Sequence, residues 1–179
     1  MAGFSQAVSV VFGAEGGLAD NPADRGGRTN MGITAETWRL WLESKGQPHR
    51  PVDTCTPAEA EAIYHEWYWT RAKCDALPWP LSLVHFDGAV NHGVLSEAKL
   101  LQRSLDVATD GIIGPVTLAA AGQGEPRARA EDLLWTRLNK YRRILHSDAS
   151  QRVFAAGWIK RMEDLRATVV GKRPVPRIP

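Results

Sequence analysis

Only two cysteines, Cys55 and Cys74, occur in 179 residues. They lack C-x-x-C spacing and are too few for a disulfide-dense scaffold, so free thiols are expected. Long hydrophobic runs are also missing, and none approaches the roughly 18 apolar residues of a membrane span. Neither sign of charge dominates: 22 Lys and Arg stand against 20 Asp and Glu, for a formal net charge of +2. A dedicated nucleic-acid binder, which needs clustered cations, is not indicated. The N-terminus MAGFSQAVSVVFGAEGG has no basic leader, and Ser9 and Gly13 break its apolar stretch, which argues against a cleaved secretory signal. The product is expected to be soluble and made in the cytoplasm. Of the five histidines, His85 and His92 stand two helical turns apart, and neither they nor the cysteines match zinc-ligand spacings. No metal or other cofactor is expected.

What is present is mostly helix punctuated by Gly and Pro. Phe4, Ala7, Val8, Val11 and Phe12 recur at helical spacing, predicting a first helix that ends near Glu15 at Gly16-Gly17. AETWRLWLESKG, from Thr34 or just after, predicts a second helix with Glu36 at its positive end and Gly46 at its stop. TPAEAEAIYHEWYW starts with Thr56 as N-cap, Pro57 at the first position and Glu59 completing a capping box. After Pro78-Trp79-Pro80, LSLVHFDGAVNHG reads as a helix up to Gly93, and Ser96 is placed to cap EAKLLQRSL. DGIIGPVTLAAAG predicts a turn and a short helix begun by Pro115. Two long helices follow, marked by Leu134, Leu138, Tyr141, Leu145 and by Phe154, Trp158, Met162, Leu165. The tail GKRPVPRIP, residues 171–179, is expected to be flexible. No period-2 strand appears except a short ribbon within 16–34, so the expected class is mainly α, with about seven to eight helices.

The chemistry concentrates in EGGLADNPADRGGRTNMGIT, Glu15 to Thr34. Glycosidic cleavage needs a carboxylic acid still protonated near neutral pH, usually with a second carboxylate aimed at water or the sugar. Glu15 suits the first role, because a helix C-terminus and a flanking apolar face both favour its neutral form. Asp20 and Asp24 suit the second, with Asp24 preferred because the intervening residues let the chain fold back. Thr29, Asn30 and Thr34 offer hydroxyl and amide groups to a water or a sugar. The same residues also fit an exposed helix end followed by an ordinary Asx-type turn. On spacing alone both readings stand.

EGGLADNPADRGGRTNMGIT resembles the E-G-G-Y-x-x-x-P-x-D-x-G-G-x-T-x-x-G-I-T opening of glycoside hydrolase family 108, lysozyme-like N-acetylmuramidases of phage endolysins and bacterial genomes. FDGAVNHGVLSEAKLLQRSLDVATDGIIGPVTLAA resembles the same family's C-terminal peptidoglycan-binding region, with its F-D-x-A-V-N-x-G and D-G-x-x-G-x-x-T signatures. Both matches run in the family's order. The resemblance implies a lysozyme-like fold, a catalytic region at 1–90, and a helical peptidoglycan-binding region at 91–170 packed on it. It places the family's acid on Glu15 and its Asp and Thr on Asp24 and Thr29. Leu18 stands where the family usually has Tyr, which removes an aromatic sugar contact from that position.

Seven tryptophans invite comparison with carbohydrate clefts, whose aromatic faces meet sugar rings. Trp38, Trp41, Trp67 and Trp158 lie on helical stripes and are expected in the core. Trp69 and Trp79 sit near a break and are the expected cleft residues. Asp87 and Asn91 lie one turn apart on one face, suited either to supporting the active-site loop or to touching substrate. The expected substrate contacts are thus Asn30, Thr34, Trp69 and Asn91. The resemblance implies a muramidase acting on peptidoglycan glycan strands in the cell wall, reached through a holin pore or a secretion machine, and a monomer is expected. A non-catalytic wall-binding module, a lytic transglycosylase and a chitinase are the alternatives.

Overall fold

The computed structural model describes residues 2–15 and 29–170, with backbone only for Ala2 and residues 13–15. Asp20, Asp24 and the tail at 171–179 lie outside the described residues. The described chain is mainly α, with helices α1 (Ala2–Glu15), α2 (Ala35–Ser44), α3 (Pro57–Ile63), α4 (Leu81–His92), α5 (Val94–Ser104), α6 (Pro115–Ala121), α7 (Pro126–Ser147) and α8 (Arg152–Val170). A two-stranded antiparallel ribbon, β1 (Thr29–Asn30) and β2 (Ile33–Thr34), pairs Thr29 with Thr34 and Asn30 with Ile33. Met31 and Gly32 turn it at φ of 50° and 74°, the successive positive values that a tight hairpin requires. No helix among the described residues is long and apolar enough to cross a membrane.

Local signals act as their chemistry dictates at several helix ends. Thr56 and Glu59 form the expected reciprocal capping box. Gly46, at φ 65°, takes the left-handed position beyond α2, where its N–H and that of Gln47 return to Glu43 and Leu42. Two expectations are corrected. Helix α5 begins at Val94, so Ser96 lies inside it and its Oγ accepts a hydrogen bond from Lys140 Nζ at 2.9 Å instead of capping. The helix expected over 56–69 also changes character, since α3 ends at Ile63 and Tyr64–Trp69 continue as a π-helical segment. The wider turn lets Tyr64 and Trp69, five residues apart, both reach the core.

Helix α4 is the centre of the packing. Its residues from Leu81 to Ala89 are all buried, which is why its sequence is apolar on every side. It packs against α1, α5 and α7. Buried polar side chains interrupt that surface: Ser82, His85 and Asp87 on α4 itself, and Glu97 on the neighbouring α5. Asp87 is buried between two cations, with Arg137 Nη2 of α7 and Arg161 Nε of α8 each at 2.8 Å. One carboxylate therefore joins three helices. Deeper along α5, Glu97 is fully buried and lies 2.6 Å from His92 Nε2. Gly88 makes room for it, because a Cβ there would stand 2.2 Å from the Glu97 carboxyl carbon.

Burial pushes Glu97 up to about 7 and holds His92 down at about 2, so at mildly acidic pH the pair is mainly a carboxylic acid donating to an unprotonated imidazole. His85, also fully buried, is lowered by the same loss of water, and its Nε2 lies 3.1 Å from the Ala72 carbonyl oxygen. The pair is neutral and needs no counter-ion, which reconciles two titratable groups with a closed core.

Two measurements check this account. Arg137→Met leaves Asp87 buried with half its partners and is expected to destabilise the fold by about 3–5 kcal/mol in urea unfolding. Glu97→Gln keeps a donor toward His92 but cannot ionise. The unfolded chain releases the Glu97 proton near the ordinary 4.5, whereas the folded chain holds it to about 7. Wild-type stability from this group therefore falls with rising pH across that window. The stability difference, variant minus wild type, should grow by about 1.4 kcal/mol per pH unit there and level off above it. A flat difference would contradict the raised acid.

Candidate active site at the end of helix α1

Helix α1 buries Phe4, Ala7, Val8 and Val11. Phe4, Val8, Val11 and Glu15 follow one another at spacings of four, three and four, so Glu15 occupies the next register position on the same helix face. That face packs toward α4 and the π-helical segment. Glu15 is also the last residue of α1, where the unpaired carbonyl ends concentrate partial negative charge.

Tyr64 connects this helix end to the ribbon. Its ring meets Phe12 edge-on at 5.3 Å, and its hydroxyl donates to the Met31 carbonyl oxygen at 2.9 Å. The ring is completely buried, and a phenol there must find an acceptor. The turn of the ribbon supplies it. Behind Tyr64 stand Phe86 at 6.2 Å, and Trp69 and Phe4, which pack on Phe86 at 5.4 Å and 6.0 Å. This aromatic cluster fixes the last turn of α1 against the hairpin, so the chain leaves α1 at Glu15 and re-enters the described structure at Thr29 beside a common support.

The ribbon is anchored on its other side as well. Asn30 Nδ2 donates to the carbonyls of Val52 and Cys55 at 3.2 and 3.3 Å, holding β1 against the 3-10 turn Val52–Thr54. Thr34 is the N-cap of α2: its Oγ1 accepts from Thr37 N at 3.1 Å and donates to Thr37 Oγ1 at 2.9 Å. The structure thus brings Thr29, Asn30 and Thr34 together on one half-buried ribbon, and engages the last two in holding it. Asn91 lies on α4, half-buried, one turn beyond Asp87. Asp24 lies outside the described residues, and of Glu15 only the backbone is described.

Trp69 is corrected. It is only 2% exposed, with its Nε1 donating to Asp75 Oδ1 at 2.8 Å, so neither ring face is open to a sugar. The π-helical register turns it inward, a shift that periodicity at 3.6 residues per turn does not anticipate. Trp79, by contrast, is 42% exposed. Trp38 and Trp41 are buried, and Trp67 and Trp158 are half-buried against the core. Both cysteines are buried and free. Among the described residues, no group of three or more His, Cys, Asp or Glu side chains is placed to hold a metal ion.

Sequence reasoning missed the Tyr64 hydroxyl and the Glu97–His92 pair. A tyrosine in an otherwise apolar stripe, and a Glu within reach of a Gly one helix earlier, were the available signals. The partners of Asp87 lie 50 and 74 residues away, and no local pattern names them.

Comparison with known proteins converges on one family. Residues 8–93 match the Glycosyl hydrolase 108 family, and residues 96–163 match the Predicted Peptidoglycan domain. The junction falls at Gly93, between α4 and α5. A solved structure described as "Structure of Brucella abortus SagA" is similar, with 33% identity, a TM-score of 0.81 and 94% of each chain covered. The comparison with curated proteins gives no match. With a glycosidase match ending where a peptidoglycan match begins, and a similar fold along nearly the whole chain, this protein belongs to glycosyl hydrolase family 108 and is a peptidoglycan hydrolase.

Proposed function

We propose that the chain is an N-acetylmuramidase, cleaving the β-1,4 bond between N-acetylmuramic acid and N-acetylglucosamine. In this reading Glu15 protonates the leaving glycosidic oxygen. Asp24, with Thr29, orients the attacking water or stabilises the oxocarbenium-like transition state. The observation that carries it is the Tyr64 tie, which joins the last turn of α1 to the ribbon and so brings both flanks of the segment bearing Asp24 to one support. The register of Glu15 on the packed face of α1, at a helix C-terminus, favours a carboxyl that stays protonated near neutral pH. Asn91, near the C-terminal end of α4, contributes a polar group to the substrate's edge.

Purified peptidoglycan tests the assignment. Glu15→Gln should lower the rate of reducing-end release by about 10²–10⁴-fold while leaving thermal unfolding unchanged. Wild-type products should carry N-acetylmuramic acid at the reducing end in mass spectra. Anhydromuramic ends would instead identify a lytic transglycosylase, and reducing N-acetylglucosamine a glucosaminidase.

Tyr64→Phe probes the support separately from the acid. The Met31 carbonyl loses its donor, at a cost of about 1–2 kcal/mol in stability, and hydrolysis should fall by more than the unfolded fraction explains. Unchanged hydrolysis would show that the ribbon's position does not depend on this bond.

A further inference from the structure

Arg50 has no part in the hydrolytic reading so far, yet it ties together three elements behind the ribbon. Its carbonyl oxygen accepts from Trp38 Nε1 of α2 at 2.8 Å, and its guanidinium carbon lies 4.7 Å from the centre of the Trp38 ring. Nη1 donates to the Thr54 carbonyl at 3.2 Å and to Thr54 Oγ1 at 3.4 Å. Nη2 donates to Gln47 Oε1 at 3.3 Å and to Glu59 Oε1 of α3. One partly buried side chain thus joins α2, the 3-10 turn Val52–Thr54 and α3.

What the brace holds is the support of β1. The turn is closed by two backbone bonds, Thr54 N to the Pro51 carbonyl and Cys55 N to the Val52 carbonyl, each 3.0 Å, and so short a turn does not by itself fix where its carbonyls point. Arg50 stands just before it and grips its last residue. Asn30 takes its position from the Val52 and Cys55 carbonyls, and Thr29 is its neighbour on β1. Glu59 divides its carboxylate, giving Oε1 to Arg50 and Oε2 to Thr56 N and Oγ1 at 2.9 and 2.8 Å. The Arg50 guanidinium holds that carboxyl below its usual range, so the ion pair is present at neutral pH.

We infer that Arg50 is a positioning residue for hydrolysis, setting Thr29 on β1 through the turn Val52–Thr54 and the Asn30 side chain. The inference rests on the proposed role of Thr29 beside Asp24. An arginine is needed because the face and both edges of the guanidinium plane are used at once: the face lies on Trp38, one edge meets Thr54 and the other meets Glu59. A lysine keeps the charge but gives up the stacked plane and the second edge. Thr29 acts on the water or on the developing charge, so displacing it weakens the transition state and leaves ground-state binding of the glycan in place.

The test uses the full chain on solubilised peptidoglycan, at a temperature where thermal unfolding shows each variant folded. Arg50→Lys should lower kcat by about tenfold with KM within about twofold. Arg39→Lys, the same exchange among the exposed ion pairs of α2 with Glu36 and Glu43, should leave kcat within about twofold. Asn30→Ala cuts the path at its last step, so adding Arg50→Lys to it should cost less than about a further twofold. Wild-type kcat in Arg50→Lys, or two losses that multiply in the double variant, would overturn the inference. If Arg50→Lys does not fold, Glu59→Gln takes its place in the same cycle, since its single acceptor oxygen serves Thr56 or Arg50 but not both; unchanged kcat there has the same meaning. The amide signals of Thr29 and Asn30 should also shift in Arg50→Lys without substrate. That readout is independent of hydrolysis, so full activity in Glu15→Gln would remove the acid assignment and leave it standing, whereas unmoved signals would remove the role of Arg50 and leave the acid in place.

Discussion

The burial of Asp87 between Arg137 and Arg161 is the constraint on which the remaining packing rests. A carboxylate with almost no access to water is costly unless its charge is matched and its lone pairs are used. Here two guanidinium groups from different helices do both. Because the carboxylate belongs to α4, satisfying it fixes α7 and α8 relative to the helix at the centre of the core. Once α4 is placed, Phe86, one residue earlier, sets the aromatic cluster. That cluster holds Tyr64, and Tyr64 holds the ribbon beside the last turn of α1. The candidate active site thus depends on ionic contacts made on another side of the same helix.

The Glu97–His92 pair solves a related problem differently. Asp87 remains compatible with burial because cations surround it, whereas Glu97 does so by keeping its proton. The difference follows from which partners each meets: Asp87 contacts two permanently charged guanidinium groups, and Glu97 contacts an imidazole that loses its own charge on burial. The pair lies at the junction where the hydrolase match ends and the peptidoglycan match begins. Glu97 fills the space above Gly88, so the junction is packed like a core, and the two matched regions meet in a shared interior of side chains.

Much of the fold is legible in the sequence because its signals are local. The Thr56–Glu59 box, Pro115, Gly46 and the stripe of Phe4, Val8 and Val11 each act within one or two turns, and each predicts its helix. The π-helical segment is not legible, since YHEWYW has the same composition whether its hydrogen bonds reach four residues or five; the sequence therefore points Trp69 to a cleft, and the structure buries it in the core. The spacing of Asp87 to Asn91 narrows its role to support or contact, but its partners come from helices far along the chain. The candidate site divides in the same way. Thr29, Asn30 and Thr34 were identified by their polar groups, yet whether such groups face a ligand or hold the backbone is decided by tertiary neighbours. Asn30 and Thr34 make bonds of the second kind.

Those bonds point to a common mode of construction. Each irregular segment with functional weight is positioned by one long polar side chain anchored in regular structure. Tyr64 reaches the ribbon turn, Asn30 reaches the 3-10 turn, and Gln102 reaches the loop before α6. In every case the side chain satisfies backbone groups that a helix or sheet would otherwise pair. A loop held this way can keep a fixed shape while presenting its own side chains outward, which helices packed on their neighbours cannot do freely. The arrangement explains how a chain with four ribbon residues among those described, and otherwise mainly helical packing, holds the ribbon beside α1 and the loop between α5 and α6 in fixed shapes. It also predicts where tolerance to substitution ends: outward residues of these loops are free to vary with the ligand, while the anchoring Tyr, Asn and Gln are not.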